Sequence, residues 1–239
     1  MRQDQMMEKL KRNGLAADAR LARQLCDYLD LLQAWNQKMD LTAVLEEEEM
    51  ADRHLIDSLT VLKTAELAEV RTLIDVGTGA GFPGLVLALA RPEIRVTLLD
   101  AQQKRLRFLE AVCEKTGAEN VTLIHGRAEE YGKRKETREQ FDAAVARAVA
   151  PLNVLCELLL PFVRTGGRMI CWKGPALRDE LESGRRAAHL LGGRLEMPLA
   201  CPIAGRDWEH YLLPVVKIQG TPKAYPRKAG TPKEKPLGT

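Results

Sequence analysis

Apolar residues recur at helical spacing through the first seventy positions of this chain. Leu21, Leu25, Tyr28, Leu29, Leu32 and Trp35 form one stripe, which predicts a helix from about Asp18 to Lys38. Leu41-Thr42 breaks the pattern. Glu46 to Glu49 opens a second helix, its negative charge matched to a helix N-terminus, and Leu55, Leu59 and Leu62 continue it as a core-facing stripe. From Thr72 the period changes. Short apolar runs at 72–77, 95–100, 121–125, 141–147 and 168–173 alternate with helical patterns near 83–90, 102–116, 151–163 and 176–191. Such alternation predicts right-handed crossovers and a doubly wound α/β sheet, mostly parallel. The last two runs, Arg194 to Leu199 and Glu209 to Ile218, have only a short Pro/Gly-bearing loop between them and predict an antiparallel hairpin at the sheet edge.

The richest local pattern lies where the first strand meets its helix. Residues 75–84 read Asp-Val-Gly-Thr-Gly-Ala-Gly-Phe-Pro-Gly. A strand–glycine loop–helix unit lets backbone approach a ligand closely and points free N–H groups at it. Pro83 stands where a first helical turn tolerates it. Asp100 ends the second strand, where a carboxylate can accept hydrogen bonds from both hydroxyls of a ribose. Gly79 to Gly84 satisfies the dinucleotide spacing G-x-G-x-x-G, so a nicotinamide cofactor is one reading. The other is S-adenosylmethionine. It lacks phosphate and carries a cationic sulfonium, and it better suits a loop flanked by Asp75, Gly77, Gly79 and Asp100. Asp75 is then a candidate for the amino group of the methionine moiety, beside which a pyrophosphate would sit badly. A parallel core finished by an antiparallel hairpin resembles the class I methyltransferase fold more than a dehydrogenase.

Composition narrows the setting. The 239 residues suffice for one full core with an appendage. No apolar run approaches the length of a membrane span, and no signal-peptide pattern opens the chain. The five cysteines are scattered, without Cys-x-x-Cys pairs or clustering with the four histidines, which predicts reduced thiols in a cytoplasmic protein and no structural metal. The net charge of +3 is uneven. Six of the 36 basic and one of the 33 acidic residues fall in 217–239, leaving 30 and 32 for the rest. A near-neutral body with a basic terminus suggests an acidic partner such as RNA, although Thr-Pro-Lys repeats equally suit a solvated, flexible tail.

Further candidates sit at strand carboxyl ends. Gly126-Arg127-Ala128-Glu129 follows the third strand, where a fold of this kind meets adenine; Glu129 or adjacent backbone could read the adenine amino group, or Glu129 could simply cap a helix. Arg147 ends an apolar strand and is costly to bury without a partner, which makes it an ion-pair member or a site residue. The segment 146–151 has neither the Asn/Asp-Pro-Pro-aromatic pattern of adenine N6 methylation nor the cysteine of pyrimidine C5 methylation. With no deprotonating residue evident, the acceptor is expected to be a nucleophile already.

These residues resemble the RsmG (GidB) methyltransferases over nearly the whole chain. The resemblance rests on Trp35-Asn36, Asp40-Leu41-Thr42, Arg53-His54-Leu55-Ile56-Asp57-Ser58, the 75–84 loop, and Leu98-Leu99-Asp100 with Lys104-Arg105. Arg147-Ala148, Lys173-Gly174 and the tail from Tyr225 to Pro232 complete it. Asp40 departs from the Asn usual before Leu-Thr. The resemblance implies S-adenosylmethionine-dependent methylation of guanine N7 in 16S rRNA of the small ribosomal subunit, by a monomer in the cytoplasm without membrane contact. A non-catalytic RNA-binding assembly factor of the same fold is the alternative. It also implies cofactor contacts at Gly77, Phe82, Ala128, Glu129 and Arg147. His54 and Asp57 join Arg147 as catalytic-site candidates that line the cleft or fix the N-terminal helices over it. RNA phosphates are expected at Lys104, Arg105, Lys173, Arg227 and Lys228. The implied organisation is an N-terminal helical extension (1–70), an S-adenosylmethionine-binding domain (71–218) and a basic flexible tail (219–239).

Overall fold

The structure is a computed structural model and describes residues 1–147 and 150–239. Ala148 of the resemblance therefore lies outside the described residues. Two helices open the chain, α1 (Gln3–Arg12) and α2 (Ala19–Asn36). Asp18 caps α2 by accepting from the backbone N–H of Leu21, and the stripe Leu21, Leu25, Tyr28, Leu29 and Leu32 is buried. The next helical stretch is composite: α3 (Glu47–Met50), a π-helical turn over Ala51–Ile56, α4 (Asp57–Leu59) and a 3₁₀ turn over Thr60–Lys63. The sequence pattern shows its apolar stripe but not the wide turn within it.

Among the described residues eight strands form one sheet: β1 (Thr72–Val76), β2 (Arg95–Asp100), β3 (Val121–His125), β4 (Phe141–Arg147), β5 (Val163–Lys173), β6 (Gly193–Leu195), β7 (Leu199–Ala200) and β8 (Tyr211–Lys217). The order is β3-β2-β1-β4-β5-β8-β6, with β7 also on β8. Strands β1 to β5 pair parallel, and β8 runs antiparallel to β5, β6 and β7. The predicted α/β sheet with a terminal antiparallel hairpin is thus present, with differences in detail. The run 194–199 divides into β6 and β7 on either side of Glu196-Met197-Pro198, where proline cannot donate to a ladder. The helix expected over 151–163 is α8 (Leu152–Leu159) followed by a 3₁₀ turn at Leu160–Phe162, and β5 starts at Val163 instead of near 168. Between strands lie α5 (Gly84–Ala90), α6 (Gln103–Thr116), the short α7 (Ala128–Tyr131) and α9 (Leu177–Leu190). Pro83 caps α5 from just outside its first turn.

Alternate strand residues face opposite layers, as a pleated strand requires. Leu73 and Val145 point into a core shared with α5, α6 and the N-terminal helices, while Ile74 and Ala144 face the α8–α9 layer. The first helices therefore complete one face of the sheet. The segment 219–239 is docked on the domain at several points. Arg138 donates to the carbonyls of Thr221 and Tyr225, and Arg227 pairs with the fully buried Glu157. A short helix, α10 (Thr231–Glu234), follows. Repeated proline blocks long regular structure but not docking.

Candidate active site

The glycine loop is set by two carboxylates and one tyrosine. Asp75, in β1, is 1% exposed, and its Oδ2 accepts from Thr78 Oγ1 (2.7 Å) and from the N–H of Gly84 (2.8 Å). One oxygen thus ties the two ends of the turn together. Burial pushes the pKa of Asp75 up to about 6. A Cβ at residue 84 would lie 2.6 Å from the Cβ of Asp75, which is why glycine stands there. Asp100 Oδ2 accepts from Gly79 N–H (2.9 Å), and its Oδ1 accepts from Gln102 N–H (2.8 Å). From α2, the Tyr28 hydroxyl donates to the carbonyl of Ala80. A Cβ on Gly81 (φ +94°) would fall 2.1 Å from that hydroxyl.

At the carboxyl ends of β1 and β2 this loop borders a cavity of about 220 Å³. Gly77, Asp100, Ala128 and Glu129 line it together, with Leu99, Val154 and Leu158 supplying apolar surface. An apolar slot with a carboxylate at its edge fits a nucleoside: the base needs flat apolar contact, and ribose hydroxyls need an acceptor. Asp75, Gly79, Phe82 and Arg147 do not line this cavity. Asp75 and Gly79 shape the loop beside it, so the first role of Asp75 is to hold the turn and not to present a free carboxylate.

Arg147 belongs to a second cavity of about 330 Å³, lined by Arg53, His54, Asp57, Lys173 and His210 among others, and its guanidinium lies 5.2 Å from the centroid of the Phe82 ring. Arg147, leaving β4, donates Nη1 to the carbonyl of Arg53 and to Asp57 Oδ2 (3.0 Å), and Nη2 to His54 Nδ1 (3.0 Å). All three acceptors come from the π-helical turn and the residue after it, a local geometry frequent at functional sites. A guanidinium only donates, so His54 Nδ1 accepts and Nε2 carries the proton, which goes to Thr42 Oγ1 at 2.7 Å. Burial, then the Arg147 charge, lower the His54 pKa to about 3. The ring stacks on Phe82 (centroids 4.7 Å, planes 9° apart), and Tyr28 stacks on the same residue (5.4 Å, 22°).

Asp57 joins further elements. Its Oδ1 meets His210 Nδ1 at 2.8 Å, and its backbone carbonyl accepts from Trp172 Nε1 at 2.9 Å. The sequence-predicted trio Arg147, His54 and Asp57 is therefore a single hydrogen-bonded cluster. His210 and Trp172 are members that sequence reasoning missed, Thr42 joins through His54, and Tyr28, also missed, reaches the cluster through its stack on Phe82. Tyr28 sits in an apolar stripe and reads as core, and nothing in the β8 pattern marks His210.

The RNA-binding candidates separate. Lys104 and Lys228 are exposed. Arg105 lies 3.4 Å from Asp100 Oδ2, and Lys173 Nζ lies 2.6 Å from Glu180 Oε2. Arg227 is engaged by the protein itself: Nε and Nη2 bond both oxygens of Glu157, a carboxylate with no exposed surface, while the arginine side chain stays partly exposed.

A profile for GidB, rRNA small subunit methyltransferase G, matches residues 21–205. The chain belongs to this family. It is 48% identical over 224 residues, 94% of each chain, to ribosomal RNA small subunit methyltransferase G of Alkaliphilus metalliredigens. It is 44% identical over 234 residues, 98% of each chain, to that of Clostridium botulinum strain Eklund 17B. Among solved structures, a 16S rRNA (adenine(1408)-N(1))-methyltransferase from Catenulisporales acidiphilia superposes with TM-score 0.52 at 20% identity, covering 64% of this chain and 87% of that one. Aeropyrum pernix fibrillarin, solved with bound S-adenosyl-L-methionine, gives 0.53 at 17% identity over 70% and 76%. These two likenesses identify the class I methyltransferase fold. Family membership supports the methyltransferase reading of the glycine loop over the nicotinamide one.

Proposed function

We propose that this methyltransferase G family member transfers a methyl group from S-adenosylmethionine to N7 of a guanine in 16S rRNA of the small ribosomal subunit. The observation that carries the reading is the pairing of two cavities at the sheet's carboxyl edge. One is apolar and edged by Asp100 and Glu129; the other is built around the Arg147–His54–Asp57 cluster. The first fits the adenosine of the cofactor, with Asp100 for the ribose, Gly77 against the chain and Ala128 and Glu129 beside the base. Gly79, Asp75 and Phe82 set the loop. When bound, S-adenosylmethionine supplies an electrophilic methyl on a sulfonium.

Guanine N7 carries an in-plane lone pair and no proton, so attack requires alignment and no general base. Holding two reactants in line lowers such a barrier by roughly 7–11 kcal/mol. The cluster suits that task. Arg147 is fixed by three acceptors, and His54 is kept neutral with its Nδ1 already engaged. Arg147 positions RNA or cofactor from the cavity wall, while His54 and Asp57 hold Arg147. Lys104, Arg105, Lys173 and Lys228 are the proposed phosphate contacts, with the target guanine unstacked to enter. The protein is proposed to act as a monomer in the cytoplasm, away from membranes; among the described residues no helix is long and apolar enough to cross one.

Nucleotide-resolution mapping of 7-methylguanosine in small-subunit rRNA tests this, using cells with and without the protein. One guanine should lose its mark in the deletion and regain it with the wild-type gene. An unchanged map would reject the reading, and intact cofactor binding without transfer would favour the assembly-factor alternative.

A further inference from the structure

We propose that the segment Arg227–Lys233 is a working part of the cofactor site, a strap that forms one wall of the adenosine cavity. The proposal rests on the reading of that cavity as the S-adenosylmethionine site. Gly230, Pro232 and Lys233 line the cavity although they lie beyond the last strand of the fold. Gly230 N–H donates to Glu129 Oε1 at 3.0 Å, which joins the strap to the wall formed by α7. Pro232 is buried there, an apolar flat surface of the kind that contacts a base, and Lys233 brings an ammonium to a cavity whose other charged groups include Asp100 and Glu129.

Anchors on both sides hold the strap. At its start, Arg227 donates its backbone N–H to Glu157 Oε1 (2.8 Å), its Nε to the same oxygen (2.9 Å) and its Nη2 to Oε2 (2.6 Å). After it, Asn153 Nδ2 donates to the carbonyl of Leu237 (2.9 Å), and Arg186 Nε donates to that of Gly238 (2.8 Å). Burying a carboxylate such as Glu157 is costly unless its lone pairs are filled, and here the strap itself fills them. Helix α8 therefore presents Glu157 to fix the strap and Val154 and Leu158 to line the cavity beneath it. Cofactor affinity is thereby tied to a segment that composition alone assigns to RNA. A basic tail reaching for RNA would keep its cations free and would have no need of a buried anchor.

Calorimetric titration of S-adenosylmethionine into three proteins tests this: the full chain, a chain ending at Lys223, and the double variant Pro232→Ala/Lys233→Ala, which trims the wall and keeps every anchor. The truncation should weaken cofactor binding by about ten-fold or more and the double variant by about three-fold or more, changes on the scale of one or a few lost contacts. In the double variant, which keeps Lys228, the KM for small-subunit rRNA should stay within about two-fold of wild type. Cofactor affinity unchanged in the double variant overturns the strap, and a raised KM for rRNA would then assign the segment to RNA. If the truncated chain does not fold, the double variant decides alone. A full chain that binds no S-adenosylmethionine, or binds it equally after Asp100→Asn, rejects the cavity reading and the strap with it; normal binding in the full chain with equal binding in the double variant rejects the strap only.

Discussion

Arg147 Nη2 donates to His54 Nδ1 across 3.0 Å, and this contact acts together with burial to keep the histidine neutral. A protonated Nδ1 would face the guanidinium donor to donor, so the imidazole stays neutral and serves as an acceptor. The histidine that looks most like an acid–base catalyst in the family signature is thus a support for the arginine beside it.

Removing the guanidinium leaves Asp57 buried with His210 as its remaining side-chain partner. Arg147→Ala should cost roughly 3–5 kcal/mol of folding stability, as breaking buried pairs does, and should abolish methyl transfer. Arg147→Lys keeps the charge but cannot reach three acceptors at once, so it should recover stability better than turnover. Urea unfolding and a labelled-methyl assay on 30S-type substrate read the two effects; normal turnover in Arg147→Ala would remove the positioning role.

Acidification should penalise the fold through His54. Its folded pKa, about 3, lies below the ordinary value of 6.5, so the unfolded chain binds more protons between these values. Its contribution is full above pH 6.5 and is lost as pH falls toward 3. Asp75 acts oppositely: raised from 3.8 to about 6, it favours the fold as pH falls through that window. The difference in unfolding free energy between wild type and His54→Asn should therefore move in favour of the variant from pH 6.5 to pH 4. A constant difference across that range would mean that His54 titrates normally.

Gly81→Ala should destabilise the chain by roughly 1–3 kcal/mol, the range for overpacking a filled site, because its Cβ would meet the Tyr28 hydroxyl and Leu109. The cost should shrink in a Tyr28→Phe background. Denaturant midpoints for the four proteins of this double-mutant cycle give the coupling, and zero coupling would dissociate α2 from the loop.

Asp100→Asn keeps an acceptor for only one of the N–H groups of Gly79 and Gln102, turns a donor toward the other, and withdraws the charge offered to a ribose. The dissociation constant for S-adenosylmethionine should rise about ten-fold, since a hydrogen bond to a charged group contributes roughly 1.5–3 kcal/mol. Stability should fall by roughly 1–3 kcal/mol, the cost of one unpaired buried donor. Unaltered affinity would place the ribose elsewhere.

Neighbours Arg227 and Lys228 should behave differently. Arg227→Ala strands Glu157 and should lower stability by roughly 3–5 kcal/mol. Lys228→Ala should leave stability alone and reduce the slope of log affinity for rRNA against log salt by about 0.7–0.9, the value of one phosphate contact.

Much of this was legible in the residues because it depends on periodicity and on glycine. The stripe from Leu21 to Leu32, the strand–helix alternation and the 75–84 loop each follow from local sterics, and each is present. The split of β6 from β7 hung on Pro198, a single proline inside an apolar run. The π-helical turn has no compositional mark; it follows from how Arg53, His54 and Asp57 meet Arg147, a contact across some ninety residues of chain. The contacts of the tail were illegible for a related reason. Charge counts record how many cations a segment holds, and only the fold shows that Arg227 faces Glu157.

Phe82 lies between Tyr28 and His54, one ring from α2, one from the glycine loop and one from the π-helical turn. A stack shared by three stretches of chain ties their fluctuations together. None of the three can open to solvent without unstacking a neighbour, so amide protons in all three should exchange with deuterium as one cooperative unit, at a rate set by a common opening. The first helices then contribute to the stiffness of the cofactor loop as well as to the core.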